Sequence, residues 1–397
     1  MKTLHLLFIL GTRPEAIKLA PVILAAKKNP AFKVTVCSTG QHKEMIKPIL
    51  NFFHIQPDFQ LDVMTANQGL AQLSAAILQS FTGVLAQLKQ SHQLPDWVLV
   101  QGDTTTAMMA ALVGFYEKVK IAHIEAGLRT DTIYSPWPEE LNRRVIGLMA
   151  DAHFAPTPEA LQNLQGENKK AHEIFMTGNT GIDALKTVSQ YLESDSQVKG
   201  EFDRKFSFLN PQSRFILATV HRRENFGQPM ENIFHALREV SEMPGVEVLI
   251  PVHMNPQVRA TVSQVYGESA RWMKDAKGSS SARSKIWLCD PLEYLDFVYL
   301  MKRSYLMISD SGGVQEEAPC LGKPVLVVRE STERPEAVTA GANMLVGTEK
   351  STIVQKAQRL FEDQKLYAQM AEPRDVYGDG QASQRILQAL LGWEKTQ

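Results

Sequence analysis

The chain lacks most of what would mark a secreted, membrane-spanning or nucleic-acid-binding protein. Among 397 residues there are three cysteines, Cys37, Cys289 and Cys320. They form no CxxC pair, and three cannot all pair within one chain. Neither a disulfide framework nor a structural zinc site is expected, and a reducing cytoplasm fits. The net charge is −1, so the basic excess typical of nucleic-acid and membrane-surface binders is missing. A small anionic ligand stays open, because a few local Arg and Lys residues suffice for one. No apolar run approaches the roughly 20 residues that span a bilayer. The opening run Leu4–Leu10 is short and leads into Gly11-Thr12-Arg13-Pro14-Glu15. That is not a small-residue cleavage site, so the run reads as a buried first strand and not as a signal peptide. GxGxxG and GxxxxGK(S/T) are also missing, which removes the fingerprints of dinucleotide redox and P-loop proteins. No DxD, HExxH or other metal-ligand cluster occurs, so no metal and no cofactor are expected.

What is present is a 44% hydrophobic chain long enough for two domains. Short aliphatic runs alternate with longer amphipathic ones. Strands are predicted at 4–10, 33–38, 97–101, 120–124 and 174–177. A second series is predicted at 215–220, 246–252, 286–288, 306–309 and 325–328. Helical patterns fall between them, as at 14–28, 70–90, 104–116 and 139–149. This alternation predicts an α/β fold of parallel sheets covered by helices on both faces. The polar stretch Ser189–Ser213 separates the two series, placing domains at 1–188 and 189–377. Lys274–Ser284, with Gly278-Ser279-Ser280-Ser281, reads as an exposed, mobile loop. The apolar-periodic segment Gln381–Trp393 can cap either domain.

Polar clusters fall repeatedly just after a predicted strand. They are Gly11-Thr12-Arg13, Gly102-Asp103-Thr104, Glu125-Ala126-Gly127, His221-Arg222-Arg223-Glu224, His253, Asp310-Ser311-Gly312-Gly313 and the segment 329–334. In open parallel sheets, ligands bind outside the carboxyl ends of the strands. Seven such clusters in both halves predict two carboxyl edges facing a shared cleft with a phosphate-bearing ligand.

Each cluster also has a plainer reading. Pro14 suits the first turn of a helix, and Arg13 and Lys18 can reach an anion at its N-terminus or simply be solvated. Gly312 and Gly313 let backbone N–H groups approach a phosphate, while Asp310 or Ser311 can equally be an N-cap. Glu316 and Glu317 suit the helix dipole, and one of them can accept hydrogen bonds from a ribose. Arg13, Arg222, Arg223, Arg329 and Arg334 are the candidates to neutralise a pyrophosphate, with only some of them touching ligand. Asp103 and Glu125 end neighbouring strands, and two close carboxylates serve as base and acid. Alternatively, Asp103 caps the helix that follows. His123 reads as a packed core histidine. Glu139 and Glu140 are either positioned acids behind Pro136 and Pro138 or ordinary first-turn glutamates.

Taken together the motifs resemble the non-hydrolysing UDP-N-acetylglucosamine 2-epimerases. They are GTRPEAIK (Gly11–Lys18), QHKEM (Gln41–Met45), GDTTT (Gly102–Thr106), HIEAGLRT (His123–Thr130), SPWPEELNR (Ser135–Arg143), TGNTGIDAL (Thr177–Leu185), HRRENFG (His221–Gly227), PVHMNP (Pro251–Pro256), DSGGVQEEAP (Asp310–Pro319), TERPEAVTAG (Thr332–Gly341) and YGDGQAS (Tyr377–Ser383). They occur in family order along nearly the whole chain.

The resemblance implies two Rossmann-like domains with a deep cleft, as in the GT-B glycosyltransferases, and a final helix, 378–397, returning to the N-terminal domain. It implies a cytoplasmic homodimer that interconverts UDP-GlcNAc and UDP-ManNAc for surface polysaccharide synthesis. The route eliminates UDP to 2-acetamidoglucal and adds it back, with no nicotinamide or metal. Asp103, Glu125, Glu139 and His221 are implied as catalytic, with the first proton acceptor left open. Arg13, Lys18 and His221 are implied near the diphosphate, and Ser311, Gly312 and Gly313 on phosphate. Glu317 is implied on ribose and Arg334 on the nucleotide or sugar. Leu292 and Phe297 are implied around uracil, although Leu292 stands where some relatives carry Gln. A second UDP-GlcNAc as activator is implied at Gln41, His42, Gln68, Glu140, Arg222 and His253, although Asn67 stands where some relatives place Arg. Three rivals remain: a GT-B glycosyltransferase using the same donor, an epimerase for a modified UDP-HexNAc, and a silent nucleotide-sugar sensor.

Overall fold

The run LHLLFIL of β1 (Leu4–Leu10) is buried at every position. A strand apolar on both faces needs cover on both, so it belongs inside a parallel sheet. The computed structural model describes residues 3–65, 68–130, 132–275 and 285–393. In it, β1 pairs in parallel with β2 (Phe32–Ser38) on one side and β4 (Trp97–Gln101) on the other. The sheet is completed by β3 (Phe59–Gln60), β5 (Lys120–Ile124), β6 (Ala152–Ala155) and β7 (Ile174–Met176). Its order is β3-β2-β1-β4-β5-β6-β7.

A second sheet comprises β8 (Arg214–Thr219), β9 (Val246–Pro251), β10 (Arg271–Trp272), β11 (Ile286–Cys289), β12 (Leu306–Ser309), β13 (Val325–Val327) and β14 (Asn343–Leu345). Its order is β10-β11-β9-β8-β12-β13-β14. Each sheet therefore reverses winding direction once, between β1 and β4 and between β8 and β12. Such a switch point leaves a crevice at the carboxyl ends of the two strands, where doubly wound sheets bind ligands.

The sheets belong to two compact units, Met1–Ala184 with Tyr377–Gln397, and Leu185–Val376. The first core gathers Leu7, Ile9, Phe81, Leu85, Val98 and Ile121, and the second Ile216, Phe234, Leu237, Val248, Ile308 and Leu326. The helix Ala382–Trp393 lies in the first unit. Asp183 accepts from the backbone N–H groups of Ala382 and Ser383, and Trp393 meets Trp97 edge-on at 5.6 Å. Among the described residues no helix is long and apolar enough to cross a membrane.

Two expectations need adjustment. The stretch Ser189–Ser213 is not a simple connector, because helices Thr180–Ser194 and Ser196–Lys205 run through it. Its charges lie largely on exposed faces, while Phe202 and Phe206 stack on Tyr299. Strands β3, β6, β10 and β14 were not expected. They are two to four residues long, too short to display a period. The expected mobile loop at 274–284 falls almost wholly outside the described residues, as do Asn67 and 394–397.

Candidate active site

At the β1/β4 switch point the chain turns through Gly11 into the helix Arg13–Lys27. A side chain at Gly11 would put Cβ 2.3 Å from both Thr39 Oγ1 and Thr106 Oγ1, so only glycine fits. Glu15 is fully buried beneath this turn. Its carboxylate accepts from Gly11 N–H (3.0 Å), Thr12 N–H (2.6 Å) and the Thr104 hydroxyl (2.6 Å), tying the β1 and β4 loops together. Burial pushes its pKa up while those hydrogen bonds hold it down, the burial effect being larger.

Asp103 and Glu125 follow the paired strands β4 and β5, and Gly102 N–H donates to Ile124 O between them. Each of the two carboxylates meets a separate cation. Arg143 donates to Asp103 Oδ2 at 2.6 Å, and Lys18 Nζ reaches Glu125 Oε2 at 2.5 Å. Gln101 adds a second donor to Glu125 at 2.8 Å. Glu125 has φ of 64°, a left-handed backbone that costs a non-glycine residue of order 1–3 kcal/mol. Such strain persists where the surroundings over-determine it, as at functional sites. Asp103 does not cap the next helix. Thr104 does so, accepting from Ala107 N–H at 3.0 Å, and the Asp103 carboxylate stays 31% exposed.

The helix Glu139–Met149 supplies the remaining acids. Glu140 is fully buried and saturated by Arg143, Arg144 and Thr130 N–H. Glu139 differs: its Oε2 is enclosed and has no hydrogen-bond partner among the described residues. Beside Gly11 sit Gln41, which accepts from Thr106 Oγ1 at 2.9 Å, and His42, whose N–H donates to Gly11 O. Burial lowers the His42 pKa. Gln68 instead bonds locally to Val63 O and Thr65 N–H.

At the β8/β12 switch point of the second unit stand His221 and Asp310. Asp310 is not an N-cap; Ser311 takes that place in the helix Gly312–Cys320. Ser311 makes no side-chain capping bond there. A Cβ at Gly312 would meet the end of the Arg334 side chain, with the guanidinium carbon at 2.7 Å, whereas Gly313 is open. His253 stacks on His221 with ring centroids 5.6 Å apart. Burial, and then His221, lower the His253 pKa.

Three of the five arginines expected to face a pyrophosphate are already held by carboxylates. Glu333 meets Arg222 (3.1 Å), Arg329 (2.7 Å) and Arg334, while Glu316 holds Arg334 (2.6 Å) and Glu224 holds Arg329 (2.6 Å). Burial alone would raise the Glu333 pKa, but Arg334, Arg222 and Arg329 hold its carboxyl below the usual range. Glu317 accepts from the Tyr294 hydroxyl at 3.0 Å. Leu292 is buried just before the helix Tyr294–Arg303, and Phe297 is half-buried within it.

Sequence reasoning singled out Asp103, Glu125 and His221 but not the groups that contact them, Arg143, Gln101 and, as anything but a cap, Asp310, nor Glu15 beneath the Gly11 turn. Only Glu15 carried a local signal, since Thr12-Arg13-Pro14-Glu15 is a capping box.

Two doubly wound parallel sheets with polar residues gathered at both switch points define a pair of Rossmann-like domains of the GT-B-like class. The sequence profile of the family described as UDP-N-acetylglucosamine 2-epimerase matches residues 24–391. The chain is 45% identical over 388 residues to the UDP-N-acetylglucosamine 2-epimerase of Escherichia coli K12, covering 98% of each chain. It is 45% identical over 401 residues to that of Bacillus subtilis 168, covering 100% of this chain and 98% of the other. The UDP-GlcNAc 2-epimerase from Neisseria meningitidis, solved bound to UDP-GlcNAc, superposes with a TM-score of 0.89 at 43% identity, covering 98% of this chain and 100% of that one. The chain belongs to the UDP-N-acetylglucosamine 2-epimerase family, a family of isomerases.

Proposed function

We propose that this chain interconverts UDP-GlcNAc and UDP-ManNAc by inverting C2. C2 bears no adjacent carbonyl, so simple deprotonation there is very unfavourable. In the proposed route a base removes the C2 proton while the C1–O bond breaks, giving 2-acetamidoglucal and UDP. UDP then adds back at C1 as a proton is delivered to the other face of C2. Atoms and charge balance without an external oxidant. Two faces need two acid–base groups. The observation that carries this reading is the pair Asp103 and Glu125, each at a strand end and each on its own cation. Glu139 is the third carboxylate, with an oxygen that no described residue occupies.

The second unit takes the UDP. A leaving diphosphate is stabilised by preorganised donors and positive charge. The N-terminus at Ser311, Gly312 and Gly313, with His221 and Arg334 beside it, supplies them. Arg13 and Lys18 add charge from the first unit, Glu317 binds ribose, and Leu292 with Phe297 lines uracil. A second UDP-GlcNAc acts as activator through Gln41, His42, Gln68, Glu140, Arg222 and His253. The working protein is a cytoplasmic homodimer serving surface polysaccharide synthesis. Among solved relatives, the Methanocaldococcus jannaschii UDP-GlcNAc 2-epimerase was obtained in complex with UDP-GlcNAc and UDP.

Incubation with UDP-GlcNAc and no acceptor tests the reading, with proton NMR of the anomeric region as the readout. UDP-ManNAc should accumulate to a constant ratio. Consumption only on adding a sugar acceptor would identify a transferase instead, and turnover of only a modified UDP-HexNAc would move the substrate.

A further inference from the structure

A carboxylate with no exposed surface lies against His221. Asp310 directly follows β12, is 0% exposed, and collects donors from the β8 loop. The backbone N–H groups of His221 (2.9 Å) and Arg222 (2.8 Å) and the Asn225 amide (3.0 Å) all donate to Oδ2. His221 Nδ1 lies 3.2 Å from Oδ1. Asn225 also donates to Val328 O, so the ends of β8, β12 and β13 meet at this one side chain.

Burying an ionised carboxylate costs several kcal/mol unless its lone pairs are filled. A helix start does not demand that expense, and Ser311 already occupies the N-cap. The arrangement makes sense if the imidazole must be held in one orientation and one tautomer. His253 stacks on the ring at 16° between planes, so one face as well as one edge of His221 is constrained.

We propose that Asp310 is a positioning residue for His221. It holds the imidazole with a proton on Nδ1, leaving Nε2 as the atom that takes up and returns a proton. The effect on turnover rests on the function proposed above for His221; the tautomer does not.

Nitrogen-15 NMR of the imidazole, in the full-length protein and in Asp310→Asn, tests this. Asn presents an NH2 where one carboxylate oxygen accepted, so it cannot satisfy the same donors. In the wild type, neutral His221 should carry its proton on Nδ1. In Asp310→Asn the Nε2–H form should gain, and kcat should fall by about 10²-fold with the UDP Kd changed by less than about threefold. Wild-type His221 with its proton on Nε2 would overturn the proposal, and that spectrum decides even if the variant does not fold. A folded variant with an unchanged tautomer would overturn it too, whatever its turnover. An Nδ1–H tautomer in a wild type devoid of epimerase activity would support the positioning and sink the function.

Discussion

The two units each wind a seven-stranded parallel sheet about one switch point yet present different chemistry there. In the first, Asp103 faces outward and the cation that holds it is buried behind it, while Glu125 is buried against Lys18. Asp103 is 31% exposed while Arg143, which holds it, is 4% exposed. In the second, Asp310 is buried and the imidazole against it lies further out. Asp310 is 0% exposed and His221 36%. Glu333 is likewise less exposed than Arg222, and Glu316 less exposed than Arg334, whereas Arg329 is itself buried. A doubly wound sheet fixes where a site forms; which member of each ion pair is buried fixes the charge it offers. Asp103 is the outward group of its pair in the first unit and His221 of its pair in the second.

The comparison can be broken most severely at Asp103. Asp103→Asn keeps the shape and removes the charge, so kcat should fall by about 10²–10⁴-fold while UDP affinity, read by calorimetry, stays near wild type. Wild-type-like turnover would remove Asp103 from the chemistry. Arg143→Met should come next. It releases Asp103 and leaves buried Glu140 short of a partner, so stability should drop by about 3–5 kcal/mol in denaturant unfolding. Turnover of the remaining folded fraction should fall as well. Glu333→Gln sharpens the other side. With the shared carboxylate gone, Arg334 should bind UDP more tightly, by several-fold, at some loss of stability. Unchanged or weaker UDP binding would mean that Glu333 orients Arg334 and does not restrain it.

The smallest effect is on stability against pH. Burial pushes the His123 pKa down to about 4 and that of His153 down to about 3. Both sit on adjacent strands of the first sheet, directly paired in register. As the pH falls below about 6.5, the unfolded chain takes up protons that these folded histidines refuse. Stability is therefore fully present above that pH and declines toward about pH 4. Thermal unfolding followed from pH 7 to 4.5 should show this decline, and His153→Phe should flatten it. An unchanged slope would place the acid sensitivity elsewhere.

Much of the fold was legible because apolar strands advertise themselves. β1, β4 and β5 have the predicted boundaries, and the helix Leu70–Gln90 begins and ends where its pattern does. Edge strands such as Phe59–Gln60 were not legible, having too few residues to show alternation. The site divides similarly. Asp103, Glu125 and His221 stood out as polar residues directly after apolar runs. Their holders come from distant chain, with Arg143 40 residues from Asp103, Asp310 89 from His221 and Lys18 107 from Glu125. No local period or spacing relates such pairs, since only the closing of the sheet brings them together. The arginines show the limit of counting charge: Arg329 looked available and is 6% exposed between Glu224 and Glu333.

The central claim is that the first unit's carboxylates move a proton at C2 while the second holds the departing UDP. Incubating UDP-GlcNAc with the protein in D2O, and following C2–H by proton NMR, tests it most directly. Both epimers should gain deuterium at C2 as they equilibrate, and Asp103→Asn should suppress that exchange. Epimer formation with the original C2 hydrogen retained would contradict the account.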